Sequence, residues 1–241
     1  MSLHHTAKPL WLTFDCYGTL IQWDEGLLAA VRAILAAKLG QSGQSAHGVA
    51  PAALIAAYDR HEHRLEQSTP HQSFRSVAAQ ALQLALEELG LPGSEADAGV
   101  LSRRIGAMPP FPEVVQTLRW FKQAGFRLCI VSNTDDDIIA GNVAQLGGTI
   151  DRVITAQQAG AYKPAPRLFE YAHAALGVAA HEVVHICASP HLDHAAARTL
   201  GFRCVWIDRG TGRTCLPDYT PDATLATLDR VPVLFEQLGW A

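Results

Sequence analysis

Apolar positions along this chain fall into two regimes. Trp11, Leu12 and Phe14 form a short apolar run that ends in Asp15 and a tight Gly18-Thr19 turn, the pattern of a buried strand leaving a sheet. From Asp24 to Ile105 the spacing is helical instead. Asp24 is placed to cap a helix over 25–39 with Gly40 as its stop, 41–49 reads as a Gly-, Ser- and Gln-rich loop, and amphipathic segments follow at 51–67, 73–89 and 94–105. Met108-Pro109-Pro110-Phe111-Pro112 carries the prolines of a hinge. Beyond it the pattern alternates: helix 112–124, strand 127–131, helix 136–146, a short strand near 153–154, helix 166–176, strand 183–187, helix 192–200 ended by Gly201, strand 204–207 and a last helix 231–238. Alternation of this kind predicts an α/β fold, a doubly wound, mainly parallel, Rossmann-like sheet. The expected domains are an α/β core over 8–23 and 107–241, and an inserted all-helical cap over 24–106.

Composition narrows the partners. The 241 residues are 49% hydrophobic and 17% charged, with a net charge of -4 and no basic stripe, which argues against nucleic acid or an anionic membrane as partner. No apolar run reaches the length of a membrane span, and the first residues, MSLHHTAKPL, lack the apolar stretch of a signal peptide, so a cytoplasmic location is expected. The five cysteines are odd in number and show no CxxC spacing. Cys16 beside Asp15 reads as a buried inert thiol rather than a nucleophile. Neither His61/His63 nor His191/His194 is followed by a second pair of ligands, so no metal site is expected. Both His191 and His194 sit at the start of a helix, and a solvated position is favoured for His194.

Chemistry concentrates where strands end. Ligands in open α/β sheets bind outside the carboxyl ends of the strands, and four such ends carry polar groups: Asp15 with Thr19, Ser132 with Asn133, Lys163 in a Pro-bounded loop, and Ser189 with Asp193. A nucleophilic carboxylate must be held, desolvated and kept ionised. Burial raises a carboxyl pKa and a nearby ammonium lowers it, so Lys163 is the candidate partner of Asp15. Ser132 and Asn133 suit a substrate carboxylate or a helix cap.

The order FDCYGTL, VSN, YKP and a Ser four residues before the last Asp resembles the haloacid dehalogenase superfamily, and most closely its L-2-haloacid dehalogenase (type II) branch. That resemblance implies a hydrolase in which Asp15 attacks C2 of a small 2-haloalkanoic acid and water hydrolyses the aspartyl ester to the 2-hydroxy acid. Catalytic roles would fall to Asp15, Thr19, Lys163, Ser189 and Asp193. Tyr17, Ser132, Asn133 and a cap arginine, Arg60 with Arg64 as alternative, would bind substrate. No cofactor would be needed, the partner would be a small-molecule carboxylate, and a homodimer is compatible with the resemblance.

Two substitutions separate this reading from its first rival, a Mg²⁺-dependent phosphatase working through phosphoaspartate. Phosphatases resembling this fold carry a second Asp where Tyr17 stands and an acid where Ser189 stands. A second rival is a catalytically silent binding protein, which retention of Asp15 and Lys163 disfavours. The chain departs from the dehalogenase pattern at Phe169, where that branch has Tyr, and at Ala188 and Pro190, where it has polar side chains. Those departures leave water activation to other groups, with His191 and His194 as candidates.

Overall fold

The computed structural model describes residues 7–42 and 48–241. Six strands form one parallel sheet: β1 (Trp11–Phe14), β2 (Arg127–Ser132), β3 (Arg152–Thr155), β4 (Val183–Cys187), β5 (Arg203–Ile207) and β6 (Ala223–Leu225), in the order β3-β2-β1-β4-β5-β6. The strand order reverses between β1 and β4, and such a switch point opens a crevice at the carboxyl ends of the strands. Every residue of β1, β4 and β5 is buried, as expected of a parallel sheet covered on both faces. Side chains alternate across it. Phe14 points to Phe121 of α5 (Val114–Gln123), which also meets Phe126 and Phe235 of α10 (Val231–Gln237). Trp11, Cys129, Val131, Val183 and Cys204 face the other way, against Leu168 and Phe169 of α8 (Pro166–Leu176) and Ala196 of α9 (Ala195–Leu200). The chain therefore has the expected α/β fold with a Rossmann-like sheet.

The sheet differs from expectation in detail. β6 pairs with β5 at the edge, Val205 opposite Ala223, and its three residues, none of them buried, leave too little pattern to read. A short helix, α7 (Ala156–Ala159), follows β3 directly, capped by the Thr155 hydroxyl. The segment before α9 begins as a wide turn over Pro190–His194.

The remaining helices are α1 (Trp23–Ser42), α2 (Pro51–Glu66), α3 (Phe74–Glu88) and α4 (Glu95–Ala107), with α6 (Asp136–Val143) between β2 and β3. Gly40 does not stop α1, which continues to Ser42; most of the expected 41–49 loop lies outside the described residues. The chain divides into two compact units, one holding the residues up to Gln22 with Pro110–Asn133 and Val143–Ala241, the other Trp23–Pro109 with Thr134–Asn142. Residues 134–142, read from sequence with the core, thus group with the helices. The reason is local. Asp135 caps α3, accepting from the backbone N–H groups of Phe74 and Arg75 at 2.9 Å each. The Asn142 amide donates to the carbonyls of Ile105 and Met108 at 2.9 and 3.1 Å. A β-carbon on Gly141 would lie 2.4 Å from the Gly106 carbonyl oxygen, so α4 and α6 touch backbone to backbone.

Buried side-chain pairs also lie within the helical unit. Lys38 pairs with Asp97 at 2.7 Å, and the Tyr58 hydroxyl donates to Glu62 at 2.6 Å. Burial pushes the Glu62 carboxyl up from 4.5 to about 8, against the opposing effect of the Tyr58 bond.

Gly141→Ala is expected to destabilise the protein by about 1–3 kcal/mol in urea titrations, because neither backbone can yield. Gly99→Ala in α4, which meets only the mobile end of Arg103, should stabilise it by up to about 1 kcal/mol. Since the unfolded Glu62 releases its proton first, stability should fall as pH rises from about 4.5 to about 8. Glu62→Gln, which keeps an acceptor for Tyr58, should remove that fall, worth on the order of 5 kcal/mol in melts across the window.

Candidate active site

The crevice at the β1–β4 switch point collects the strand-end residues. Asp15 follows β1 directly, its N–H bonded to Ile186 O of β4 at 3.0 Å, so its backbone is fixed by the sheet. Gly18, at φ 82°, turns the chain back, a conformation that suits glycine. The Thr19 hydroxyl then donates to Asp15 Oδ2 at 2.8 Å. Its own oxygen accepts from the Ala188 N–H at 2.8 Å. With that lone pair taken, the Thr19 proton is directed at the carboxylate.

Lys163 lies between two acids. Its Nζ is 3.0 Å from Asp15 Oδ1 and 2.8 Å from Asp193 Oδ1, with side-chain exposures of 1%, 8% and 0% for Lys163, Asp15 and Asp193. Burial alone would lower the lysine pKa, but the two carboxylates reverse this and raise it. Burial likewise opposes ionisation of Asp193, while Lys163 and His185 more than offset it and hold its carboxyl at about 2. Asp193 and Lys163 therefore stay charged through the neutral range.

The remaining positions are placed as follows. The Asn133 side chain accepts from the Lys163 N–H at 2.8 Å and donates to the Lys163 carbonyl at 3.3 Å, clamping the lysine backbone. Ser132 is 1% exposed at the end of β2; among the described residues neither its buried hydroxyl nor the carboxylate oxygen Asp193 Oδ2 has a hydrogen-bond partner. Ser189 is buried, and its carbonyl accepts from the Asp193 N–H at 2.9 Å. Tyr17 is half-buried beside the Ile21 bridge. Arg60 belongs to the helical unit, where it is exposed and bonded to Glu88 and the Ala56 carbonyl. His191 is exposed. His194 is not solvated, contrary to the sequence reading: it is fully buried, between Tyr219 and Trp206, because the wide turn folds it under α9.

Two residues escaped the sequence reading. His185, in the middle of β4, bonds Asp193 Oδ1 at 3.0 Å through Nε2 and Thr13 Oγ1 at 2.9 Å through Nδ1. An ionised Asp193 can only accept, so Nε2 carries a proton. Phe169 packs edge-on against this imidazole at 5.0 Å, with Lys163 Nζ 5.6 Å from its ring centre. A lone His in an apolar strand gives no hint of this. Arg209, after β5, donates to the carbonyls of Gly18 at 3.1 Å and Thr19 at 2.6 Å, pairs with Glu113 at 2.8 Å and stacks 3.5 Å over Phe111. It ties down the turn that aims Thr19. Its one sequence signal is its place at a strand end on the same sheet edge.

A family model described as haloacid dehalogenase-like hydrolase matches residues 11–201. The chain belongs to the haloacid dehalogenase-like hydrolases. Relatives of this hydrolase include haloacetate dehalogenase H-2 of Moraxella sp. (strain B), 30% identical over 66% of this chain and 71% of the relative, and the (S)-2-haloacid dehalogenase of Pseudomonas sp. (strain YL), 30% identical over 68% and 71%. A phosphoserine phosphatase of Thermus thermophilus is 32% identical over 61% of this chain and 60% of its own length. The fold matches that of L-2-haloacid dehalogenase from Xanthobacter autotrophicus with chloropropionic acid covalently bound, with a TM-score of 0.78 at 20% identity over 95% and 98% of the two chains. Among the described residues, no helix is long and apolar enough to cross a membrane.

Arg209→Lys should lower stability by about 1–3 kcal/mol in urea titrations, since an ammonium cannot reproduce the forked bonds to two carbonyls and a carboxylate. An unchanged midpoint would show that the turn holds itself.

Proposed function

We propose that this hydrolase removes halide from small 2-haloalkanoic acids by direct attack of Asp15. The observation that carries the reading is the buried Asp15–Lys163–Asp193 array, in which one ammonium pairs with both acids. An Asp15 oxygen attacks C2 from the side opposite the halogen; the C–O bond forms as the carbon–halogen bond breaks, halide leaves, and C2 inverts. Water then adds to the Asp15 carboxyl carbon of the ester, and cleavage of the acyl C–O bond releases the 2-hydroxy acid and regenerates the carboxylate. Thr19 orients the nucleophile through its directed hydroxyl. Lys163 holds the carboxylate through its ammonium, and Asn133 fixes the lysine from its backbone. The partnerless Ser132 hydroxyl is a donor for the substrate carboxylate, and the partnerless Asp193 Oδ2 is an acceptor for the hydrolytic water. Arg60, held by Glu88, has no part in this scheme. The dehalogenase relatives support the substrate class.

A second reading, phosphate-ester hydrolysis with Mg²⁺, is favoured by the relative that is a phosphoserine phosphatase. The donor set fits it less well. Asp193 Oδ1 is already engaged by Lys163 and His185. Among the described residues, Asp15 joins no cluster of three potential metal ligands. No cofactor is therefore part of the proposal. Wild-type protein should release halide from L-2-chloropropionate or chloroacetate in EDTA and give the D-hydroxy acid from the former. Asp15→Asn should lose at least about 1000-fold in kcat/KM. Halide release that stops in EDTA, or phosphate release from phosphoserine with Mg²⁺ and no halide release, would overturn the dehalogenase reading.

A further inference from the structure

Behind the sheet edge that carries Asp193, three soft or borderline donors converge that the proposed reaction does not use. Cys187 ends β4, Cys204 lies on the adjacent β5 and His194 comes from the turn before α9. One ligand atom of each lies within 4.8 Å of the other two, and all three residues are fully buried. The two thiols are 3.4 Å apart. Among the described residues, neither ring nitrogen of His194 has a hydrogen-bond partner. A buried imidazole without partners costs the desolvation of both its polar atoms, and no hydrogen bond among the described residues compensates it.

We propose that Cys187, Cys204 and His194 form a site for a thiophilic d¹⁰ divalent cation, of which Zn²⁺ fits best. Tetrahedral Zn²⁺ with bonds near 2.3 Å to sulfur sets the two sulfurs about 3.8 Å apart, so the observed pair needs to open by only a few tenths of an ångström. Charge also balances. Zn²⁺ displaces the two thiol protons, which leave to solvent, and two thiolates with a neutral imidazole make an assembly of zero net charge. Such an assembly can be buried among apolar side chains where a free cation could not. Tyr219 completes the surroundings: its ring packs against His194 with ring centres 5.0 Å apart. It is half-buried and lines an open surface groove with Val178, Phe202 and Arg203, which gives an ion a route past its ring. None of the three ligands has a role in the haloacid reading, although Cys187 also lies within 4.8 Å of Asp193 and His185.

The test uses the reduced 241-residue protein after chelator treatment and gel filtration, titrated with Co²⁺ and then with Zn²⁺. Co²⁺ should give a thiolate charge-transfer band and visible bands of tetrahedral intensity, and about one equivalent of Zn²⁺ should bleach them with release of about two protons. Cys204→Ala and His194→Gln should abolish the charge-transfer band or weaken it at least about tenfold, and Cys215→Ser, at a half-buried cysteine outside the cluster, should leave it intact. Circular dichroism and melting of each variant separate lost ligation from lost folding, and Zn²⁺ should raise the Tm of wild type but not of a folded Cys204→Ala protein. Absence of the charge-transfer band in wild type would overturn the proposal. So would a band that persists in folded Cys204→Ala or disappears in Cys215→Ser.

Discussion

A single buried ammonium between two carboxylates is the constraint around which the α/β unit is arranged. Lys163, Asp15 and Asp193 are all nearly excluded from water, and three charges in such a place are tolerable only if every one is matched. One positive and two negative charges leave a net negative array. The neighbours compensate with donors: the Thr19 hydroxyl on Asp15 and the His185 N–H on Asp193. Removing Lys163 would leave two buried acids facing each other, the arrangement that drives one of them to take up a proton.

The sheet supplies the precision this array demands. Asp15 and Asp193 reach the same crevice because β1 and β4 are neighbours at the point where the strand order reverses. Lys163 comes from a loop beyond β3, on the other side of β1, and a loop is a poor anchor for a buried charge. Asn133 at the end of β2 solves this by bonding both backbone groups of Lys163. Arg209 does the same for the Gly18-Thr19 turn from beyond β5. Five of the six strands, β1 to β5, thus lead into a group that belongs to the array, fixes a member of it or fixes the turn beside it.

His185 and Phe169 bear on the departures from the dehalogenase pattern. Phe169 offers no hydroxyl, yet it walls both Lys163 and His185 from water. His185 in turn holds Asp193 from behind and leaves Asp193 Oδ2 free of partners. Ala188 has lost a polar side chain, but its backbone N–H still directs Thr19. Backbone and strand residues here do work that a side-chain motif would otherwise signal.

Local pattern determined much of this protein. Alternation of apolar runs with helical periodicity is a property of neighbouring residues, so the α/β class, the helical insertion and most elements were legible in the chain. The order of Asp15, Ser132, Lys163 and Asp193 was legible too, because each sits at a punctuated strand end. What the sequence could not carry depends on which strands are neighbours and which backbones touch. The Asp15–Lys163 bond spans 148 positions. Cys187, His194 and Cys204 have no motif spacing and meet only because β4 and β5 pair. β6 exists only because an edge of β5 is open to it, and residues 134–142 join the helices because Gly141 lets α6 lie against α4. Burial of His194 and pairing of Arg60 with Glu88 were likewise decided by packing. A helix face seen in sequence shows its polarity, whereas the partner that face meets is chosen by the fold.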